Sequence, residues 1–121
     1  MGAVALDASV AIGFLNPGDA HHERAVESLR AADRDELLIA ASAYSETLVW
    51  PLANGHADLI EEFIDGLQIE VVPLSREIAR SAAELRAEHA GMRLPDAVVL
   101  ATARHREAAL LTFDERLRRF A

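Results

Sequence analysis

Short apolar stretches alternate along this chain with longer stretches of helical periodicity, and this alternation constrains the fold more than any other feature. The apolar stretches have strand length, are continuous rather than alternating, and end at charges or turn-forming residues, as buried strands of a parallel sheet do. They are AVAL (3–6), LLIA (37–40), EVV (70–72) and ALLT (109–112). Strands that alternate with helices predict an α/β fold with a mostly parallel sheet of four to five short strands.

Helix signals fill the segments between these strands. Ser42 and Ser75 stand where N-caps are expected, since a hydroxyl oxygen there accepts a free backbone N–H. Pro51 is expected to kink or end the helix that contains it, and Gly91 to end another. The predicted helices cover residues 19–33, 42–54, 56–67, 75–91, 95–107 and 114–120.

The composition indicates a packed globular protein. The chain has 121 residues, of which 51% are hydrophobic, and this suits a single domain over residues 1–121 with one core. It contains no cysteine, so we expect neither disulfides nor thiolate metal ligands, and a reducing, cytoplasmic location. The first fifteen residues lack a basic segment and contain Asp7, so they are not expected to act as a signal peptide. No apolar run has the length of a membrane span.

The charge balance excludes several kinds of site. The formal net charge is −8, and all twelve basic residues are arginine. An acidic chain binds nucleic acid poorly through charge alone, although a bound cation can reverse the local field. The absence of lysine argues against phosphatases of the haloacid dehalogenase type and against response-regulator receivers, because both need a lysine beside their acidic site.

Four carboxylates are expected at one edge of the predicted sheet. Asp7 directly follows the first strand, Glu46 lies in the first turns of the helix after the second, and Asp114 follows the fourth. Asp96 begins a helix that runs back along the sheet, so it starts at the same edge. Parallel sheets bind their ligands at the carboxyl ends of the strands, and this edge is therefore the predicted site.

Each acid also has a purely structural explanation. Asp7, Asp96 and Asp114 stand near helix starts, where a carboxylate meets the positive end of the helix dipole. Glu46 can be a solvated helix residue. Taken together, however, four clustered carboxylates repel one another unless a cation lies among them. Carboxylate ligands without cysteine favour Mg²⁺ or Mn²⁺, and such ions support hydrolysis of phosphodiester bonds.

The motifs that carry these acids resemble the PIN domain, and in particular the bacterial VapC-type toxins of type II toxin–antitoxin systems. The motifs are LDASV (6–10), SAYSETL (42–48), LPDAVVLATA (94–103) and LLTFDERL (110–117), in the family's order over essentially the whole chain. The resemblance implies an α/β/α sandwich and a Mg²⁺-dependent endoribonuclease in which Mn²⁺ can substitute. It also implies a homodimer that a cognate VapB-type antitoxin inhibits, with RNA as the substrate.

The resemblance assigns roles to six residues. Asp7, Asp96 and Asp114 are expected to hold the metal directly or through waters. Glu46 is expected to position or activate the attacking water, or to hold a second ion. Ser9 and Thr112 match the family's supporting hydroxyls and are expected to orient carboxylates or metal-bound waters. The alternatives are a non-catalytic PIN module that binds metal or nucleic acid, and a PIN-like DNA nuclease.

Two further features have open interpretations. Trp50, the single tryptophan, belongs either to the core or to a contact with a dimer partner or antitoxin. The basic residues concentrate near the end of the sequence, where they form either a solvated face or a surface that contacts the RNA backbone or an acidic partner. These residues are Arg104, Arg106, Arg116, Arg118 and Arg119.

Overall fold

A computed structural model describes residues 2–121, and within this range the chain forms four strands and seven helices. The strands are β1 (Ala3–Leu6), β2 (Glu36–Ala40), β3 (Glu70–Val72) and β4 (Ala109–Leu111). The helices are α1 (Ala8–Leu15), α2 (His22–Ala31), α3 (Ala41–Ala53), α4 (Ala57–Gly66), α5 (Arg76–Glu88), α6 (Leu94–His105) and α7 (Glu115–Arg118).

The four strands form one parallel sheet in the order β3-β2-β1-β4. Val4 in the central strand β1 pairs with Leu37 on one side and with Ala109 on the other. The chain first winds outward from β1 through β2 to β3, and then crosses back to place β4 on the free side of β1. The winding direction therefore changes between β1 and β4, which is where parallel sheets bind ligands. The predicted α/β fold with a parallel sheet flanked by helices is confirmed.

Helix α6 is the most deeply buried helix of the fold. Every residue from 97 to 103 is buried, because the helix is apolar nearly all round and packs against the sheet and α5. Thr102 is the one polar residue in this run, and its hydroxyl donates to the backbone oxygen of Val98 at 2.7 Å. The burial of α6 holds its first turn, which contains Asp96, at the carboxyl edge of the sheet.

Two of the predicted helix boundaries are wrong and one is confirmed. Ser42 is the second residue of α3 and not its cap, because the helix starts directly after β2 with Ala40 at the N-cap. Gly91 does not end α5, which already stops at Glu88. Ser75 does cap α5, and its hydroxyl accepts from the backbone nitrogen of Ile78 at 3.1 Å.

Pro51 lies inside the last turn of α3, which ends two residues later at Ala53. At this position the missing amide removes only one hydrogen bond near the end of the helix. Among residues 2–121, none of the helices combines the length and the apolar character needed to cross a membrane.

Candidate active site

Asp7 lies where the central strand β1 meets the edge strand β4. Its backbone nitrogen donates to the oxygen of Leu111 at 3.0 Å, which ties the end of β1 to the end of β4. The carboxylate is 8% exposed, and its Oδ2 accepts from Ser9 Oγ at 2.9 Å and from Thr112 Oγ1 at 2.7 Å. Asp7 occupies the N-cap position of α1, but its side chain makes no capping bond. Asp7 is therefore the N-cap residue by position, but its carboxylate supplies no hydrogen bond to the start of the helix.

Asp114 combines a capping contact with a position beside a cation. Its Oδ1 accepts from the backbone nitrogens of Arg116 at 2.9 Å and Leu117 at 3.4 Å, so it caps the short helix α7. Its Oδ2 lies 3.9 Å from Nη2 of Arg93. The backbone nitrogen of Asp114 donates to Thr112 Oγ1 at 3.1 Å. Thr112 therefore connects the backbone of one acid to the carboxylate of another, since the same hydroxyl donates to Asp7.

Asp96 is the third residue of α6 and follows Pro95, which lies in the helix's first turn. Its side chain makes no capping bond and is 18% exposed, so it lies partly shielded at the edge of the sheet. Its Oδ2 accepts from Nε of Arg93 at 3.3 Å. Arg93 therefore contacts Asp96 and approaches Asp114, and it brings one positive charge to the two acids.

Glu46 lies on α3 within the electrostatic field of the other acids. Its pKa is raised above the ordinary glutamate value, first by partial burial and then by the negative charges of Asp7 and Asp96. The positive charge of Arg93 opposes this effect. The raised pKa therefore reflects the partial burial of Glu46 first and the neighbouring carboxylates second.

Sequence reasoning missed two residues at this edge. Arg93 precedes Asp96 by three residues, and a cation at that spacing next to a predicted metal ligand was the available signal. Ser42 precedes Glu46 by four residues, so both lie on the same face of α3. The spacing between Ser42 and Glu46 is present in the sequence, but the Ser42 hydroxyl was interpreted from the sequence as a helix cap.

The polar groups at this edge fit a hard divalent cation whose coordination is completed by water. In the described part of the chain, no three His, Asp or Glu side chains lie close enough together to chelate an ion by themselves. Mg²⁺ usually keeps several waters and binds through one or two carboxylates. Ser42 Oγ is buried without a hydrogen-bond partner among residues 2–121, on the helix face of Glu46, so this edge holds a polar atom whose hydrogen bond is not met within the described chain.

An apolar cleft of about 430 Å³ adjoins the acidic edge through Glu46. Its lining includes Ile12 of α1, Trp50 of α3 and Leu59 of α4. Trp50 is 64% exposed and stacks on His56 with ring centroids 5.8 Å apart, so the explanation of Trp50 as a core residue is wrong. Exposed apolar surface next to a polar site is typical of a protein-contact region.

The parallel sheet has its acidic edge where the winding direction changes. A comparison with known protein families agrees with this architecture. The chain belongs to the PIN domain family, whose model matches residues 4–121. Proteins of this family are typically nucleases, and they usually use divalent metal ions.

Solved structures with the same fold include several toxins. VapC20 of Mycobacterium tuberculosis, described as a toxin that cleaves the sarcin–ricin loop, superposes with a TM-score of 0.80 at 19% identity, covering 96% of this chain and 93% of that one. A toxin–antitoxin complex from Klebsiella pneumoniae gives a TM-score of 0.74 at 24% identity, covering 90% and 84%. VapBC2 of Rickettsia felis, bound to promoter DNA, superposes with a TM-score of 0.78 at 15% identity, covering 98% of this chain and 92% of that one. A comparison with curated protein sequences found no significant match.

Proposed function

We propose that this chain is a metal-dependent endoribonuclease toxin of the VapC type, acting in the cytoplasm as a single PIN domain over residues 1–121. The observation that carries the proposal is the convergence of Asp7, Glu46, Asp96 and Asp114 at the carboxyl edge of the sheet. RNA is the proposed substrate class because VapC20, which shares the fold, is described as cleaving an RNA loop.

The residues at the acidic edge have different roles in phosphodiester hydrolysis. Asp7, Asp96 and Asp114 hold Mg²⁺, or Mn²⁺ in its place, directly or through waters. A divalent ion held there supplies a bound water of lowered pKa and offsets negative charge on the reacting phosphate. Glu46 positions the attacking water or accepts its proton.

Ser9 and Thr112 act on the geometry of the acids. Both hydroxyls contact Asp7 Oδ2, and Ser9 Oγ also accepts from the backbone nitrogen of Phe113 at 3.1 Å. Because a carboxylate with two donors on one oxygen has little freedom to rotate, the other oxygen keeps a constant direction. Removing either hydroxyl disorders a metal ligand without removing it.

We further propose that a VapB-type antitoxin covers the apolar cleft and reaches the acidic edge at Glu46. Toxin–antitoxin complexes are among the structures that share this fold, and the cleft offers exposed apolar side chains directly beside the acids. We also propose that the chain forms a homodimer, as the family resemblance implies.

Cleavage of total RNA by the purified protein tests the proposed activity. We expect fragments with Mg²⁺ and with Mn²⁺, and no fragments with EDTA. Asp96→Asn should abolish cleavage while the circular dichroism spectrum and Tm stay close to those of the parent protein. Asp33→Asn is the matched control, because Asp33 is exposed and lies before β2, at the opposite edge of the sheet.

Three outcomes would contradict the proposal in different ways. Full activity of Asp96→Asn would remove Asp96 from the site. Cleavage of DNA but not RNA would identify a PIN-like DNA nuclease. Absence of cleavage with either ion, from folded protein free of antitoxin, would favour a non-catalytic binding module.

A further inference from the structure

A second cavity, of about 360 Å³, adjoins the acidic edge through Asp96. It lies between the end of α5, the start of α6 and the short helix α7. Its apolar lining includes the buried side chains of Met92 and Leu117, and its charged lining includes Arg93, Arg116 and Arg119. A cavity of this volume is within the range that holds a small ligand or a single nucleotide.

The cavity is continuous with the acidic edge. Asp96 lines it, and so does Arg93, which donates to Asp96 at 3.3 Å. A polymer whose scissile phosphate lies at the acids therefore has its neighbouring unit beside this cavity.

The structure divides the arginines near the end of the chain into two groups. Arg116 and Arg119 line the cavity, and neither forms an ion pair with any of residues 2–121. Their charges are therefore available to an external anion. The other three have partners in the chain: Arg104 donates to the backbone oxygen of Phe120 (3.4 Å), Arg106 pairs with Glu70 (2.7 Å) and Arg118 with Glu115 (3.9 Å).

Two aromatic rings complete the lining. The rings of His89 and Phe120 lie with centroids 4.8 Å apart and planes tilted by 59°, and both residues line the cavity. Aromatic rings beside guanidinium groups are the combination that binds single-stranded nucleic acid, because bases stack on the rings and phosphates pair with the cations. The lining thus offers partners for both parts of a nucleotide.

We propose that this cavity binds the nucleotide next to the scissile phosphate of single-stranded RNA. Arg116 and Arg119 pair with its phosphate, and Phe120 and His89 contact its base. The inference rests on the proposed function, because it takes RNA as the polymer at the acidic edge. It also explains how a chain with a net charge of −8 retains RNA, since uncompensated positive charge lies beside the acids.

The test measures RNA binding separately from cleavage. A fluorescently labelled single-stranded oligoribonucleotide of mixed sequence is titrated with protein in Ca²⁺, and electrophoresis checks that it stays intact. Fluorescence anisotropy gives the Kd at several salt concentrations. The double variant Arg116→Gln/Arg119→Gln should bind more weakly, and the slope of log Kd against log salt should fall by about 0.7, the value for the one phosphate that the protein no longer neutralises.

The matched control is Arg30→Gln/Arg34→Gln. It removes the same charge from exposed residues that lie before β2, at the opposite edge of the sheet. We expect its salt slope to stay close to that of the parent protein. An equal fall in slope for both double variants would overturn the proposal, because net charge alone would then explain the weaker binding.

A third variant, Phe120→Leu, tests the base contact. We expect its affinity to fall by at least about five-fold with an unchanged salt slope, because the substitution removes a stacking surface and no charge. A Tm close to that of the parent protein shows that each variant is folded. Unchanged affinity of both Arg116→Gln/Arg119→Gln and Phe120→Leu, or failure of the parent protein to bind the oligonucleotide, would overturn the subsite.

Failure of this inference and failure of the proposed function give different results. Metal-dependent RNA cleavage with no effect of the cavity variants on binding leaves the nuclease in place and removes the subsite. Binding that depends on Arg116 and Arg119 without any cleavage leaves the subsite in place and removes the nuclease.

Discussion

At the scale of single residues, Arg93 brings a positive charge to the acidic edge. It is itself 61% exposed, yet it contacts Asp96, lies 3.9 Å from Asp114 and counteracts the raised pKa of Glu46. A guanidinium in this position serves as a counter-ion for the carboxylates. It also competes with a divalent cation for the same oxygen atoms.

We therefore expect Arg93→Gln to bind divalent cations more tightly than the parent protein. The change should be about two- to five-fold in Kd, which matches the modest strength of partly exposed ion pairs. Isothermal titration with Mn²⁺ measures it directly and independently of activity. Arg34→Gln, which removes an arginine remote from the acids, should leave the Kd unchanged, and weaker Mn²⁺ binding by Arg93→Gln would contradict the counter-ion role.

At the scale of elements, Arg106 connects the end of α6 to the strands at the edge opposite the acids. Its guanidinium donates two hydrogen bonds to Glu70 at the start of β3, at 2.7 and 2.8 Å, and lies 3.7 Å from Glu36 at the start of β2. The hydrogen bonds from Arg106 lower the pKa of the Glu70 carboxyl below its usual value. Ionised Glu70 is therefore favoured in the folded state.

This lowered pKa predicts a pH-dependent contribution to stability. The contribution is complete above the ordinary glutamate pKa and is lost as the pH falls through the lower, folded-state pKa. We expect Glu70→Gln to reduce the free energy of unfolding at neutral pH by about 0.5–1 kcal/mol, the range of a well-formed exposed ion pair. Urea unfolding at neutral pH and again below the lowered pKa measures the difference, which should vanish in acid.

The control for this prediction is Glu84→Gln, which breaks the more exposed ion pair with Arg80 inside α5. We expect a smaller effect there, because both side chains are largely in water. A destabilisation by Glu70→Gln that persists in acid would show that the pair with Arg106 is not its cause.

At the scale of the whole molecule, the chain leaves an apolar surface uncovered. Four large apolar side chains of α3 and α4 are more than half exposed: Val49, Trp50, Leu52 and Leu59. The core is elsewhere, around the sheet and α6, where Leu100 is 2% exposed. Exposed apolar side chains contribute little to the stability of an isolated chain, so this surface is available to a partner.

One leucine-to-alanine substitution in the core and one on the exposed surface distinguish the two regions by their effect on stability. Leu100→Ala should lower the free energy of unfolding by about 2–5 kcal/mol, because it opens a cavity in the core. Leu59→Ala should change it by less than about 0.5 kcal/mol in dilute monomeric protein. Urea unfolding at several protein concentrations measures both values. A large, concentration-dependent cost for Leu59→Ala would show instead that a second copy of the chain already covers the surface.

The sequence alone determined the architecture and the edge at which the acids meet. Each strand is short and, apart from the glutamates that begin β2 and β3, apolar, so the alternation of strands with helices predicted a parallel sheet. In such a sheet, residues that follow β1 and β4 lie at the same edge, and this predicts Asp7 and Asp114 there. That β4 lies next to β1, so that Thr112 contacts Asp7, came from the tertiary structure. The apolar character of α6 likewise identified it as a buried helix.

Only the tertiary structure decided which partners the side chains at that edge have. Periodicity shows which face of a helix is apolar, but it does not show which remote residue packs against it. The contact of Arg93 with two acids, the buried Ser42 hydroxyl and the exposure of Trp50 all depend on how separate elements are oriented. The two arginines that remain free beside the acids are distinguished in the same way, because charge pairing across the fold depends on distances that sequence spacing does not contain.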